Sequence, residues 1–384
     1  MNNKIKHMIN YILMVINYCI PKKNNRVFFK SKPDYSGNAK ALSEYITENI
    51  RTYEVVWSLS AVSIDEYDFK IVRKGTLKEL YYYLTSKFIF TTHNEMIGPV
   101  SSNQIYISLW HGMPFKKIGY LGEFEYAKMR DYSANRIATS EIMRSIISAS
   151  FREKANKVYI TGQPRNDYLF KPISLKKMGL NIENKKKIIM YAPTFRMNVE
   201  DQKYSDGNEI TDDNFLRVDD FGMKELDSHL MDNDCHLLLK LHPYEEKYFE
   251  NINELSSNIS IIRSQELIKQ NIDVNQLLAV ADVLITDYSS MYFDYLILNR
   301  PIIFLVPDLN DYRKSRGGFT LEPFDFWTPG EKVKNQASLV SAIDRILKNE
   351  DLYLAERRIV NSIINEYSDN KNCERVKDLM KKLG

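Results

Sequence analysis

From residue 27 onward, short apolar runs alternate with stretches whose apolar positions recur every three to four residues. The runs at 27–30, 54–59, 69–72, 88–91, 105–109, 136–139 and 158–161 are rich in β-branched and aromatic residues, and their length predicts strands. Helical spacing at 38–49, 76–85 and 141–149 predicts the helices between them. A polar, lysine-rich segment, FKPISLKKMGLNIENKKK at 170–187, interrupts the pattern; Pro172 and Gly179 mark it as a linker. The alternation then resumes, with strands at 188–191, 236–241, 259–262, 283–286 and 302–305. Helices are predicted at 223–231, 274–280, 290–298, 337–348 and near the C-terminus. Strands interleaved with helices predict parallel sheets covered on both faces. At 384 residues the chain exceeds one ordinary core. The expectation is two open α/β domains, 25–170 and 188–384, joined by the linker 171–187. Ligands of such sheets bind beyond the C-terminal strand ends, so a cleft between the domains is the expected site. The acidic stretch 198–220 lacks periodicity and reads as a surface loop, either closing over a ligand or simply solvated.

Residues 1–24 stand apart. The apolar run 8–20 is shorter than the ~20 residues a membrane-spanning helix needs, and no small-residue cleavage site follows it. Wound as a helix, it gathers Asn3, Lys6, Asn10 and Asn17 into one narrow stripe, with apolar groups elsewhere. Residues 1–33 hold seven basic residues and no acidic one, leaving 46 basic against 50 acidic residues in the rest. The formal net charge of +3 is thus an N-terminal feature, which argues against nucleic acid as a partner. With Lys22, Lys23 and Arg26 following, the segment predicts an amphipathic helix on an anionic membrane surface. The alternative is a helix packed on the domain. Cys19, Cys235 and Cys373 are far apart, with neither metal-ligand spacing nor a disulfide framework, and fit a reducing compartment.

Five predicted strands end in polar clusters. WHGMPFKK follows 105–109, GQPRND follows 158–161, APTFR follows 188–191, His242-Pro243 closes 236–241, and DYSS follows 283–286. His111 is the candidate general base, because an imidazole titrating near neutrality can accept a hydroxyl proton. Gly112 would let the backbone approach a ligand, and Pro114 stiffens the turn. Lys116 and Lys117 face either an acceptor or solvent. Arg165 is a candidate phosphate clamp, since guanidinium suits oxyanions; its alternative is an ion pair with Asp167. His242 is a candidate donor to a phosphate oxygen, with Lys240 adding charge; alternatively it only starts the turn before Pro243. Ser289 and Ser290 stand at a helix start, where free N–H groups and the helix dipole favour anions, although either could simply cap that helix. Asp287 would repel an anion unless it pairs with an arginine or turns towards a sugar or the backbone. Asp294, one turn on, is a candidate for a ligand hydroxyl. Arg313 and Arg316, in a loop past Asp308, are candidates to add positive charge. His93 is read as structural. There is no GxxxxGKS/T loop, no GxGxxG, no Asp-x-Asp pair after a strand and no Cys/His metal set. The expected chemistry is therefore transfer from a nucleotide-diphospho donor without a metal or other cofactor.

These stretches resemble the CDP-glycerol glycerophosphotransferase family, whose members prime or polymerise teichoic acids and related capsule polymers. The family's pattern stands here as WHGMPFKKIG, GQPRND, YAPTFR, KLHP and DVLITDYSSMYFDY, followed by RPIIF and DLNDYRKSRGGF, across about residues 25–330. The resemblance implies the GT-B fold: α/β, two Rossmann-like domains facing a central cleft, here with the N-terminal amphipathic helix added. It also implies a CDP-alditol donor bound by the C-terminal domain. The acceptor would be a lipid-linked saccharide or polyol phosphate at the cytoplasmic face of a bacterial membrane. Carried over position by position, the site is His111, Gly112, Met113, Pro114, Phe115, Arg165, Pro193, Thr194, Lys240, Leu241, His242, Ser289, Ser290 and Asp294, with His111 and His242 catalytic. Met113 departs from the family's threonine, and Gly318 adds a second glycine after Arg316-Gly317. The absence of a long N-terminal extension resembles the short priming members more than the large polymerases. Alternatives are a CDP-ribitol donor, a nucleotide-sugar transferase or epimerase of the same fold, and a non-catalytic nucleotide-binding scaffold.

Overall fold

The computed structural model describes residues 3–60, 68–122, 129, 131–180, 182, 186–196, 205–211, 213–249 and 254–384. Parts of the expected linker (181, 183–185) and of the expected acidic loop (198–204, 212) lie outside the described residues. The chain forms two compact units. Unit 1 holds Met1–Met113, Arg130–Tyr168 and Glu366–Gly384; unit 2 holds Pro114–Met129 and Leu169–Asn365.

Unit 1 runs α1 (Asn3–Cys19), β1 (Lys23–Lys30), α2 (Gly37–Asn49), β2 (Glu54–Leu59), β3 (Lys70–Arg73), α3 (Leu77–Thr85), β4 (Ser86–Thr91), β5 (Ile105–Ser108), β6 (Asn135–Ala138), α4 (Glu141–Phe151) and β7 (Val158–Ile160). Among the described residues these strands pair in parallel in the order β3-β2-β1-β4-β5-β6-β7. The order reverses between β1 and β4, and such a reversal opens a crevice at the C-terminal edge of a doubly wound sheet. Both sheet faces are covered, which is why the strands read as continuous apolar runs. Val27 and Phe29 of β1 join Trp57 and Phe90 on one face. Phe28 joins Val56, Ile89 and Tyr106 on the other.

Unit 2 runs β8 (Lys187–Tyr191), α5 (Met223–Asp232), β9 (Cys235–Leu239), β10 (Glu254–Ser256), β11 (Ile259–Ile261), α6 (Ser264–Lys269), α7 (Val274–Val280), β12 (Val283–Thr286), α8 (Met291–Tyr295), β13 (Ile302–Leu305), α9 (Leu309–Ser315), α10 (Phe324–Trp327), β14 (Glu331–Val333), α11 (Gln336–Leu347) and α12 (Leu354–Ile364). Its strand order is β10-β11-β9-β8-β12-β13-β14, parallel except for the β10–β11 pair. Here the reversal falls between β8 and β12. Ile189, Leu237, Ile285 and Ile303 form the sheet side of a core closed by Leu226 of α5 and Leu339 of α11.

The units differ from the expected spans 25–170 and 188–384 in two places. The last helix, α13 (Asn372–Leu383), belongs to unit 1. Its Cys373, Val376, Leu379 and Met380 share a core with Ala39, Leu42 and Ile46 of α2. The segment Pro114–Met129 belongs to unit 2: Thr320 N donates to Phe115 O (2.9 Å), and Lys116 bridges Phe319 in antiparallel fashion. Other departures are local. The helix expected at 290–298 is α8 followed by a 3-10 turn, Leu296–Leu298, ended by Asn299 at φ 52°. The short elements β10, β14, α6, α9 and α10 carry too few residues to show a period. Arg313 lies on α9 and Arg316 caps its C-terminus, where a loop was expected.

α1 packs in an inverted sense. Its polar edge faces the protein: Asn17 is fully buried, with Nδ2 donating to Pro99 O and Gln104 Oε1, both at 2.7 Å. A Cβ on Gly98 would come within 2.5 Å of Asn10 Nδ2, so glycine lets the helix settle there. Lys22 turns inward to Asn17 Oδ1 (2.6 Å) and Leu84 O (2.7 Å), and burial lowers its pKa to about 8. Arg26 is 2% exposed and pairs with Glu54 at 2.8 Å. Of the three basic residues expected to face lipid, Lys23 alone is exposed.

Candidate active site

In unit 1 the turn after β5 is built around His111. β4 and β5 pair with Thr91 opposite Ser108, so the residues just beyond both strands lie side by side. Trp110 adopts φ 51° and Gly112 φ 148°. The first conformation costs a non-glycine residue roughly 1–2 kcal/mol, and such strain clusters at functional turns. It turns the chain sharply and leaves His111 exposed. Asn38 Nδ2 braces the turn by donating to Leu109 O (3.0 Å) and Trp110 O (3.1 Å). Arg165 Nη1 donates to His111 O (2.7 Å), and Arg165 N donates to Asn38 Oδ1 (3.1 Å). The His111 ring stacks on His93, with centroids 4.2 Å apart and planes 16° apart. Trp110 lies 4.3 Å from His111 and packs edge-on against Phe151 at 4.7 Å. Met113 is 1% exposed. Asp167, the alternative partner weighed for Arg165, caps α13: it accepts from Asn372 N, Asn372 Nδ2 and Cys373 N at 2.8–2.9 Å. In the same GQPRND stretch, Gly162 has φ 73°, and a Cβ there would lie 1.8 Å from Asn372 Oδ1.

In unit 2 the ends of β8 and β12 emerge together. Thr286 Oγ1 donates to Ala192 O, and Thr194 N donates to Asp287 Oδ1, each at 2.8 Å. Arg196 answers the anion-repelling charge of Asp287. Its Nη1 lies 2.9 Å from Asp287 Oδ2, and its Nε donates to Asp308 Oδ2 at 2.8 Å. Burial works against the guanidinium charge, but Asp287 and Asp308 outweigh it and hold its pKa above the ordinary value. Pro193 is buried beside this clamp. Thr194 is 9% exposed, and its Oγ1 has no hydrogen-bond partner among the described residues. Ser289 and Ser290 are half-buried. Ser289 Oγ accepts from Met291 N at 3.3 Å, whereas the Ser290 side chain makes no cap.

His242 follows β9, the other neighbour of β8. Its ring stacks on Phe195 at 4.6 Å. Tyr244 N donates to its Nδ1 at 3.3 Å, which leaves the ring proton on Nε2. Burial first, then Lys240 and Lys116, lower its pKa to about 4, so near neutrality it is an uncharged donor. Lys240 does not project its charge: Nζ donates to Leu241 O (2.7 Å), Glu246 Oε1 (2.8 Å) and Ser264 Oγ (2.9 Å). The Leu241 side chain is core. Asp294, expected at a ligand hydroxyl, is 1% exposed and accepts from Asn275 Nδ2 at 3.4 Å. Phe115, expected against the donor, is 1% exposed, stacked on Phe319 at 4.6 Å and edge-on to Tyr292 at 5.4 Å. Pro114 O accepts from Thr320 Oγ1 at 2.8 Å. Arg316 pairs with Asp206, and Arg313 with Glu322 at 3.4 Å.

The structure thus gathers His111, Gly112 and Arg165 in unit 1, and Pro193, Thr194, His242 and Ser289 around the sheet reversal of unit 2. It turns Lys240, Leu241, Asp294 and Phe115 inward. Two residues join that sequence reasoning missed or set aside: His93 beside His111, and Asn38 beneath it. The TTHNE stretch after β4 is itself a polar strand end, but only the pairing of β4 with β5 puts it next to His111.

A sequence model of the family described as CDP-Glycerol:Poly(glycerophosphate) glycerophosphotransferase matches residues 12–382. A teichoic acid poly(glycerol phosphate) polymerase of Bacillus subtilis (strain 168) is 30% identical over 371 residues, covering 90% of this chain and 47% of its own. The chain spans about half the length of that relative. A teichoic acid glycerol-phosphate transferase of Staphylococcus aureus is 27% identical, with 97% of this chain and 98% of its own covered. Ribitol-phosphate polymerases are similar at 28%. Among solved structures, the wall teichoic acid polymerase TagF superposes with a TM-score of 0.78 at 22% identity, over 99% of this chain and 96% of that one. This likeness shows the fold, α/β with two mostly parallel sheets of the GT-B kind. With a family match running nearly end to end, this chain belongs to the CDP-glycerol:poly(glycerophosphate) glycerophosphotransferase family.

Proposed function

We propose that the chain transfers glycerol phosphate from CDP-glycerol to a hydroxyl of a lipid-linked saccharide or growing polyol-phosphate chain, releasing CMP. The observation that carries this reading is the position of the family's polar stretches: each stands beyond the C-terminal end of a parallel strand, where ligands of such sheets bind. Glycerol is favoured over ribitol because the family description and the 30%-identical relative both name glycerol phosphate. Ribitol, the second reading, is supported by relatives at 28%.

In this mechanism the acceptor hydroxyl oxygen attacks the phosphorus that carries glycerol, and the bond from that phosphorus to the CMP oxygen breaks. His111 takes the hydroxyl proton. The Nε2–H of neutral His242 and the hydroxyls of Thr194, Ser289 and Ser290 stabilise charge on the diphosphate; Arg165 holds the His111 turn. Transition states of this kind are loose, so positioning and preorganised charge supply most of the acceleration. Transfer is proposed to need no divalent ion, so activity should persist in chelator.

Association with an anionic membrane surface is part of the same proposal. Its support is the outward face of α1: Met8, Tyr11, Ile12, Val15, Ile16 and Tyr18 are each at least 47% exposed. Among the described residues no helix is long and apolar enough to cross a membrane. The test of the reaction is incubation of the protein with CDP-glycerol or CDP-ribitol and a lipid-linked saccharide, followed by mass analysis. Glycerol phosphate addition with CMP release is expected. His111→Ala should lower turnover by roughly 10²–10⁴-fold while CDP-glycerol binding persists. Near-normal turnover would remove His111 as the base.

A further inference from the structure

We propose that His93 is a positioning residue for His111: its imidazole, stacked face to face on the base, fixes the plane of the reactive ring and opposes accumulation of charge on the pair. The inference rests on His111 being the base.

The placement follows from the sheet. β4 is the strand at which the order reverses, and β5 is its neighbour. With Thr91 opposite Ser108, the residues two past β4 and three past β5 meet above the C-terminal edge. Their rings lie 4.2 Å apart and nearly parallel, at 16°. One face of His111 is therefore covered.

His93 is itself held. Lys32 N donates to Thr92 Oγ1 at 3.2 Å. The Thr92 hydroxyl also shares a hydrogen bond with His93 Nδ1, 3.0 Å away. His93 N also donates to Glu95 Oε2 at 2.7 Å. A ring tied at both Nδ1 and its own backbone is a firm surface for a second ring to lie on.

Among the described residues, Lys32, Lys74 and Glu95 act on His93, and Arg165 is bonded to the His111 carbonyl. Desolvation first, then Lys32 and Lys74, lower the His93 pKa against the opposing pull of Glu95. Two imidazolium rings at this spacing would repel each other.

The test uses the full chain with His93→Ala, which removes the stack, and His93→Phe, which keeps a flat ring but no nitrogen. Misplacing a catalytic group slightly costs on the order of 10²-fold. His93→Ala should therefore lower kcat roughly 10–100-fold with the KM for CDP-glycerol within about two-fold. His93→Phe should hold kcat within about ten-fold of the unaltered protein. A kcat for His93→Ala within two-fold, or a loss confined to KM, would overturn the proposal. If His93→Ala does not fold, a folded His93→Phe losing more than ten-fold in kcat overturns it instead. A second arm needs no turnover: NMR titration of the His93 ring in the protein and in His111→Phe. Loss of its chargeable neighbour should raise the His93 midpoint by about half a unit or more; an unmoved midpoint defeats the coupling. If the unaltered protein transfers from neither CDP-alditol while the midpoint moves, the assigned reaction fails and the stacked pair stands.

Discussion

Asp287 is a carboxylate placed where a diphosphate is expected, and Arg196 resolves the conflict. Its guanidinium lies against Asp287 and Asp308, donates to Thr194 O at 2.6 Å, and packs 5.0 and 4.9 Å from the rings of Tyr288 and Tyr312. All of this is buried, with Arg196 6% and Asp287 1% exposed. A buried network of this kind is weak evidence of net stabilisation, but removing one member leaves uncompensated charge and costs roughly 3–5 kcal/mol. Arg196→Met should therefore destabilise the protein by about that amount in urea unfolding. A change below 1 kcal/mol would mean that the carboxylates are relieved by other means. That Asp287 needed relief was legible in the sequence, because it stood beside a predicted anion site; whether an arginine, a sugar or the backbone would supply it was left open. The identity of the arginine was not legible: Asp308 and Arg196 lie 112 residues apart, and no local pattern joins them.

At the level of elements, α1 shows how a polar stripe can leave a helix's orientation open. The polar stripe was legible from the spacing of Asn10 and Asn17, yet the same stripe could face water or protein. The structure turns it inward because Pro99 O and Gln104 offer Asn17 buried partners; an amide there without partners would cost on the order of 1–3 kcal/mol. The apolar side is consequently outward, and apolar burial in a lipid interface is worth about 25 cal/mol per Å². Because Lys22 and Arg26 are engaged within the protein, apolar insertion should dominate over attraction to anionic lipid. Ile12→Glu with Ile16→Glu, both at exposed positions, should abolish co-sedimentation with liposomes without lowering thermal stability. Retained binding would assign the membrane contact elsewhere.

For the molecule as a whole, the alternation of strands and helices was enough to predict two parallel-sheet domains. It could not reveal that the last helix folds back into the first, since the apolar face of α13 fits either core equally well on paper. Nor could it show which histidines are buried, and that sets the response to acid. In unit 2, His236 is 6% exposed, with Nε2 2.8 Å from Ser260 Oγ; burial first, then Lys186, lower its pKa to about 4. His242 is likewise lowered to about 4. An unfolded histidine titrates near 6.5. Between that value and the folded value the unfolded chain binds more protons, so protonation drains stability as pH falls. The stability held by these groups is fully present above pH 6.5 and is lost progressively toward pH 4, with a slope no steeper than about 1.4 kcal/mol per pH unit for each histidine. Urea midpoints should accordingly be level from about pH 8 to 7 and fall between about 6.5 and 4. His236→Asn should start from a lower midpoint and show a shallower fall. A midpoint unchanged from pH 7 to 5 would mean that these imidazoles are solvated in the folded protein.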